Sequence, residues 1–131
     1  MTPEAKLYQV IKRKLEKTCH IQRIENLVER GSPDINVCHE SGIEVWIELK
    51  IGIFPLIRPE QIAWGRRRAR KNGRCFVLSR SEKKIRIWKH PDIEVEDVEG
   101  KKYKKVINAS RWTIDLPIQE DELIKILFLE N

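Results

Sequence analysis

Two neighbouring stretches decide the fold, Gly31-Ser32-Pro33-Asp34 and Trp46-Ile47-Glu48-Leu49-Lys50. Residues 35–39 and 43–51 predict two antiparallel strands. The three residues between them, 40–42, fit a short hairpin loop with glycine where a positive φ is favoured. The first stretch therefore leads into one strand of a hairpin, and the second lies within the other strand.

The hairpin register brings two carboxylates together, because Asp34 lies opposite Glu48 in the pairing that this loop sets. Directly opposed side chains have Cβ atoms about 4.5–5.5 Å apart, and like charges there destabilise a sheet unless a cation binds between them. Lys50 is two residues beyond Glu48 and shares its face. The opposite face is apolar and predicts the core side of the hairpin: Ile35, Val45, Ile47 and Leu49.

These side chains suit a site for a hard divalent cation. Mg²⁺ takes oxygen ligands, often one or two carboxylates with water and substrate phosphate. Asp34 and Glu48 fit that description, and the backbone carbonyl of Leu49 offers a third oxygen. Lys50 would orient or deprotonate an attacking water, or stabilise a pentacoordinate phosphate. The alternative is that Asp34 belongs to a turn and that Glu48 and Lys50 are solvent-facing strand residues.

At these residues the sequence resembles the PD-(D/E)xK nuclease superfamily. Pro33-Asp34 and Glu48-Leu49-Lys50 match its motif, Glu4 precedes the motif near the start of a helix, and Gln61 follows it in Arg58-Pro59-Glu60-Gln61. The combination resembles the VRR-NUC branch in particular, including its small stand-alone viral members, over residues 3–90.

The resemblance implies a fold, an activity and a set of site residues. The fold is an α/β, restriction-endonuclease-like mixed β-sheet flanked by helices. The activity is a metal-dependent, structure-selective endonuclease that hydrolyses DNA phosphodiesters, with Mg²⁺ as cofactor, Mn²⁺ as a substitute and branched DNA such as Holliday junctions as substrate. Two alternatives stay open: a restriction-like or general repair nuclease, and a non-catalytic nucleic-acid-binding module. The implied catalytic residues are Glu4, Asp34, Glu48, Lys50 and Gln61.

Glu4 and Gln61 each have an ordinary structural explanation as well. Glu4 could complement the dipole of its helix, and Glu16 is a weaker candidate for an additional acid. Gln61 could be a surface residue of the helix that begins at Pro59.

Charge favours a polyanionic partner, since the chain has a formal net charge of +6. The positive residues are concentrated between Arg58 and Arg74, where Glu60 is the single acid. A run this one-sided predicts a phosphate-contact surface, and a solvated helix face is the alternative. The expected DNA-binding residues are Arg58, Arg66, Arg67, Arg70 and Lys71.

No stretch approaches the ~20 apolar residues of a membrane-spanning helix, and no signal-peptide pattern opens the sequence. We therefore expect no membrane association and a soluble, intracellular protein, in the cytoplasm of the host cell if it is viral. Three cysteines without CxxC spacing predict neither a disulfide framework nor a zinc site.

The length predicts a single domain over residues 1–131, with a nuclease core at about 3–90 and a C-terminal extension at about 91–131. Thr2 and Pro3 open a helix that continues to about Lys17. The further predicted elements are a strand at about 20–27, a helix at 59–72, strands at 74–81 and 84–90, an edge strand around 112–118, and a short helix at 119–129.

Two apolar segments exceed what a small sheet obviously requires, residues 53–57 and 123–129. Each either completes the core or contacts a second subunit, and the first could also alter substrate access. A four-way junction needs two symmetric incisions, so we expect a homodimer that uses at least one of these segments.

Overall fold

The structure is a computed structural model that describes residues 1–24 and 31–130. The helix α1, Pro3–Leu15, begins as predicted: the Thr2 hydroxyl accepts the Ala5 N–H at 3.1 Å, and Pro3 takes the first helical position. Leu7, Ile11 and Leu15 form its buried face, whose spacing follows from 3.6 residues per turn. The helix ends at Leu15, two residues before the predicted end at Lys17.

The remaining elements follow in chain order. The strands before the second helix are β1 (Cys19–Arg23), β2 (Ile35–His39), β3 (Glu44–Ile51) and β4 (Leu56–Ile57). Helix α2 (Pro59–Arg70) leads to β5 (Arg74–Ser81), β6 (Lys84–Lys89), β7 (Val95–Asp97), β8 (Lys104–Val106) and β9 (Trp112–Asp115). Helix α3 (Glu120–Ile124) continues into a π-helical turn, Lys125–Leu129.

Within the described residues, six strands form one mixed sheet in the order β1-β2-β3-β5-β6-β9, and β4-β8-β7 form a smaller sheet. Only the β3–β5 pairing is parallel among the described pairs, and α2 lies between these two strands in the chain. Helices α1 and α3 pack on one face of the large sheet, where their apolar side chains share a core with β3. Helix α2 and the small sheet enclose a second apolar cluster on the other face.

The central hairpin has the predicted register, because Ile35 lies opposite Ile47 and Asn36 opposite Trp46. Val45, Ile47 and Leu49 are buried in the core shared with α1. Glu48 and Lys50 therefore project from the face that α2 covers.

Several predicted boundaries are corrected. The strand predicted at 20–27 is β1 at Cys19–Arg23; Ile24 lies beyond it, and residues 25–27 are outside the described residues. Helix α2 ends at Arg70 rather than Asn72, which has a positive φ of 64°. Strand β6 ends at Lys89, one residue before the predicted end.

The segment after residue 91 packs closely against the large sheet and α1. Strand β9 pairs with β6 at the edge of the sheet, which is consistent with Pro117 just beyond it. Leu123, Leu127 and Phe128 are buried in the same cluster as Leu7. The apolar segment 123–129 therefore completes the core of this chain. No helix among the described residues is both long and apolar enough to cross a membrane.

Candidate active site

Asp34 directly precedes β2 and is held there by the backbone of the facing strand β3. Its Oδ2 accepts the Leu49 N–H at 2.7 Å, and its own carbonyl accepts the Ile24 N–H at 2.8 Å. The N–H and C=O of a strand residue point to the same side, so the Leu49 carbonyl also faces the Asp34 side of β3. A carboxylate and a backbone oxygen thus lie beside each other where β2 begins.

Gly31 fixes the approach of this motif to α2. Its φ is +91°, and a Cβ placed on it would overlap the Glu60 carbonyl oxygen in the first turn of the helix. Only glycine combines this backbone conformation with such a close contact. The loop that supplies Asp34 is therefore packed directly against the start of α2.

Glu48 is a buried carboxyl, 5% exposed. Burial, and after it the nearby Asp34 carboxyl, raise its pKa to about 9, although Lys50 and Arg58 oppose the shift. Its Oε1 has no hydrogen-bond partner among the residues that the structure describes. Such an atom is costly to bury, and it is a ready ligand for a cation.

Lys50 links β3 to α2 at the same place. Its Nζ lies 3.9 Å from Glu48 Oε2 and donates to Gln61 Oε1 at 3.2 Å. Gln61 Oε1 also accepts the Arg58 N–H at 2.9 Å, which caps the first turn of α2. Gln61 therefore supports the start of α2 and contacts Lys50.

All five predicted catalytic residues line one cleft of about 650 Å³. Glu4 enters it from the first turn of α1, whereas Glu16 caps the other end of that helix, about 18 Å away along the axis. The described residues that line it are Thr2, Glu4, Arg23, Asp34, Glu48, Leu49, Lys50, Ile51, Phe54, Leu56, Arg58, Gln61 and Tyr103.

The donor set of the cleft fits a divalent cation. In residues 1–24 and 31–130, no three His, Cys, Asp or Glu side chains come close enough to hold a metal together. Mg²⁺ does not need three, because it is commonly held by one or two carboxylates and keeps water or phosphate as further ligands. The ligands that the protein would supply are the Asp34 carboxylate, the Glu48 Oε1 atom and the Leu49 carbonyl oxygen.

The basic side chains on α2 and directly after it lie in different environments. Arg67, Arg68 and Lys71 line a second cleft of about 400 Å³ with Trp64 and Gly73. The Arg68 guanidinium lies 4.5 Å from the Trp64 ring centroid and 5.1 Å from that of Trp46, which fixes its position.

The other basic side chains of this run differ. Arg58 lines the larger cleft, Arg70 is exposed on α2, and Arg66 Nη2 donates to the Ile93 carbonyl at 3.4 Å. Arg74 donates to the carbonyls of Leu127 and Glu130 and so holds the C-terminal segment.

Four of the residues that line the larger cleft without having been predicted as site residues have side chains suited to contact a substrate. Arg23, Phe54, Leu56 and Tyr103 reach the cleft from three separate parts of the chain. The exposed apolar run at 53–57 was a signal for Phe54 and Leu56, since substrate access was one of its predicted roles. Tyr103 carried no signal, because nothing near it in sequence relates it to the motif.

A comparison with solved structures finds the same fold in Hjc, a Holliday junction resolvase from the archaeal hyperthermophile Archaeoglobus fulgidus. The TM-score is 0.59 over 88% of this chain and 85% of that chain, at 14% sequence identity. Likeness at this identity shows the fold, and it confirms the predicted mixed sheet flanked by helices. Comparisons with family models and with curated protein sequences give no match, so the VRR-NUC resemblance stays a prediction.

Proposed function

We propose that this chain is a metal-dependent, structure-selective DNA endonuclease that hydrolyses phosphodiesters. The observation that carries the proposal is the meeting of Asp34, Glu48 and Lys50 in one cleft, with Glu48 Oε1 buried and unpartnered among the described residues. A module that only binds nucleic acid gains nothing from paired acids facing a phosphate, because they repel it.

Asp34, Glu48 and the Leu49 carbonyl would hold Mg²⁺, with Mn²⁺ as a substitute. A divalent cation at such oxygens supplies charge neutralisation at a phosphoryl oxygen and lowers the pKa of a bound water. Glu4 lines the same cleft and would contribute a further carboxylate for the hydrated site.

Lys50 would act on the attacking water or on the phosphate. Its ammonium contacts a neutral amide oxygen of Gln61 at 3.2 Å, closer than the 3.9 Å to Glu48. A cation held mainly by a neutral group keeps its charge available to a phosphate oxygen. Gln61 would position Lys50 and can hydrogen-bond the water through its amide nitrogen.

Arg58, Arg66, Arg67, Arg70 and Lys71 would supply the phosphate contacts of the DNA backbone. The cleft of Arg67, Arg68 and Lys71 supports this assignment, because every charged residue that lines it in the described part of the chain is a cation. Arg68 joins the set, since its guanidinium is already positioned by two tryptophan rings.

Branched DNA, with the Holliday junction as the leading case, is the proposed substrate. The support is that the motif resembles small stand-alone VRR-NUC nucleases, and that a protein of the same fold is a Holliday junction resolvase. A homodimer belongs to this proposal, because paired incisions need two sites. Since segment 123–129 lies mostly in the core, a dimer contact through the other segment would use its exposed residues, such as Ile53.

The test is cleavage of labelled four-way junction, flap, continuous duplex and single-stranded DNA, each with Mg²⁺ and with EDTA. We expect Mg²⁺-dependent incision of the junction in preference to the duplex. Equal cleavage of all substrates would indicate a general repair nuclease. Binding without cleavage in any metal would indicate a non-catalytic module and would refute the proposal.

A further inference from the structure

Three large apolar side chains stand exposed in the cleft that holds the paired acids. Phe54 is 58% exposed, Leu56 46% and Tyr103 39%. Water-exposed apolar area of this size is unfavourable, by contrast with the buried apolar face of the same hairpin. These side chains are candidates for contact with whatever enters the cleft.

The strands hold this apolar group in place. Phe54 precedes the buried Pro55, whose carbonyl accepts the Val106 N–H at 3.0 Å. Leu56 is paired with Lys105 in the antiparallel β4–β8 ladder, and Tyr103 directly precedes β8. The group therefore sits on the small sheet, which is anchored by the buried residues Ile57 and Val106.

Positive charge accompanies the aromatic rings. The Arg58 guanidinium lies 5.9 Å from the Tyr103 ring centroid, and Arg23 and Lys50 line the same cleft. Lys102 lies beside Tyr103 and Arg58 around an adjoining space of about 250 Å³. Aromatic rings interleaved with cations are the arrangement that binds unpaired nucleic acid: the cations contact phosphates and the rings stack on bases.

We infer that Phe54 and Tyr103 stack on a nucleobase that is unstacked at a DNA branch point, beside the phosphodiester in the cleft. Base faces inside a continuous duplex are covered by their neighbours, so this contact would be available at branch points and not along the duplex. The inference rests on the proposed function, and it assigns recognition of DNA structure to the cleft itself.

A second copy of the chain is the competing occupant of this surface. A subunit packed on Phe54 and Leu56 would cover the cleft that contains Asp34 and Glu48, because all four residues line it. Such packing would exclude the polyanion that the surrounding cations fit. Ile53, 43% exposed and outside the lining, is free of this conflict.

The experiment measures equilibrium binding in EDTA, where no cleavage occurs, to a four-way junction and to a continuous duplex of the same composition. The variants are Phe54→Ala and Phe54→Tyr, with Ile107→Ala as a matched control, because Ile107 is 42% exposed and does not line the cleft. We expect Phe54→Ala to weaken junction binding by about 5- to 150-fold, the affinity of one stacked base. Duplex binding should be unchanged, and Phe54→Tyr should restore junction binding.

A second readout reports stacking directly. Junctions carrying 2-aminopurine at the branch should lose fluorescence on binding the wild-type protein and keep it with Phe54→Ala. Unchanged junction affinity, or an equal loss on both DNAs, would overturn the inference. So would conversion of a dimer to a species of 15.6 kDa by Phe54→Ala, since Phe54 would then be a subunit contact.

Failure of this inference and failure of the proposed function are distinguishable. If Phe54→Ala binds the junction with wild-type affinity and cleaves it, the stacking inference is refuted and the proposed nuclease function stands. If 2-aminopurine fluorescence at the branch is quenched but no metal supports cleavage, the stacking inference stands and the proposed nuclease function is refuted.

Discussion

Lys50 Nζ donates a hydrogen bond to Gln61 Oε1 over 3.2 Å, and the same oxygen caps the first turn of α2 through the Arg58 N–H. The Gln61 side-chain amide therefore links strand β3, which carries Glu48, to helix α2, which carries the basic run. The Lys50 ammonium is therefore positioned before any substrate binds.

We expect Lys50→Ala to reduce Mg²⁺-dependent junction cleavage by about 10²–10³-fold, the cost of losing one positioned donor at a developing negative charge. Single-turnover rates at saturating protein measure it. Junction affinity in EDTA is the control and should change little. Normal turnover would reduce Lys50 to a surface residue.

We expect Asp34→Asn and Glu48→Gln each to abolish cleavage, because each removes a carboxylate that would hold the metal. DNA binding should stay intact in both variants, since neither change removes a cation that contacts phosphate. Glu48→Gln should also raise the free energy of unfolding by about 1–2 kcal/mol in EDTA, since it removes a desolvated carboxyl beside another acid.

Asp34→Asn is the internal control for that gain in stability. Asp34 is half-buried and accepts the Leu49 N–H, so its replacement removes a charge-assisted hydrogen bond and should not stabilise the fold. Urea unfolding of both variants separates the two effects. Wild-type cleavage by either variant would remove that carboxylate from the mechanism.

His90 predicts a dependence of stability on acid pH. It is 3% exposed, and burial, with a smaller contribution from Arg66, lowers its pKa from 6.5 to about 4. Between pH 6.5 and 4 the unfolded chain binds a proton that the folded chain does not, so stability falls as pH decreases through this window. The loss should total about 3 kcal/mol and level off below pH 4.

Urea unfolding at several pH values checks this expectation, with His90→Leu as the reference. The difference in unfolding free energy between wild type and variant should change across pH 6.5–4. Parallel pH profiles would contradict the assignment.

Gly31→Ala should destabilise the protein and impair cleavage. A positive φ costs an L-residue about 1–2 kcal/mol, and the overlap with the Glu60 carbonyl adds about 1–3 kcal/mol. Gly42→Ala is a matched control, because its φ is +90° and a Cβ there has no atom of the described residues within 4 Å. Equal losses for the two variants would mean that the contact with α2 has no energetic weight.

Arg67→Gln and Lys71→Gln should each lower the slope of log affinity against log salt by about one unit. Both line the cationic cleft on α2. Lys12→Gln, an exposed site on α1 at the opposite face of the sheet, should leave the slope unchanged. An unchanged slope for Arg67→Gln and Lys71→Gln would show that these side chains do not contact DNA phosphates.

The sequence predicted those parts of the site that local rules determine. The loop length and strand alternation set the register of the hairpin, and with it the meeting of Asp34, Glu48 and Lys50. Thr2 and Pro3 likewise placed the start of α1, and so Glu4 at the mouth of the cleft.

The features that the sequence did not predict depend on contacts between distant segments. Strand β4 has two residues and β8 three, which is too short for alternation to be detected, so the small sheet and Tyr103 were missed. The apolar run at 123–129 was ambiguous because a core segment and a subunit interface have the same composition. Only the packing of Leu123 against the core resolves that choice.

The burial of Leu123, Leu127 and Phe128 beside Leu7 has a consequence for synthesis on the ribosome. The reverse face of the β2–β3 hairpin shares this core, so it stays partly uncovered until residues 123–128 have left the exit tunnel. A nascent chain that already contains Asp34, Glu48 and Lys50 would therefore lack the packed sheet that holds these residues in register. The candidate site would therefore take its final geometry after residues 123–128 emerge rather than when the motif itself emerges.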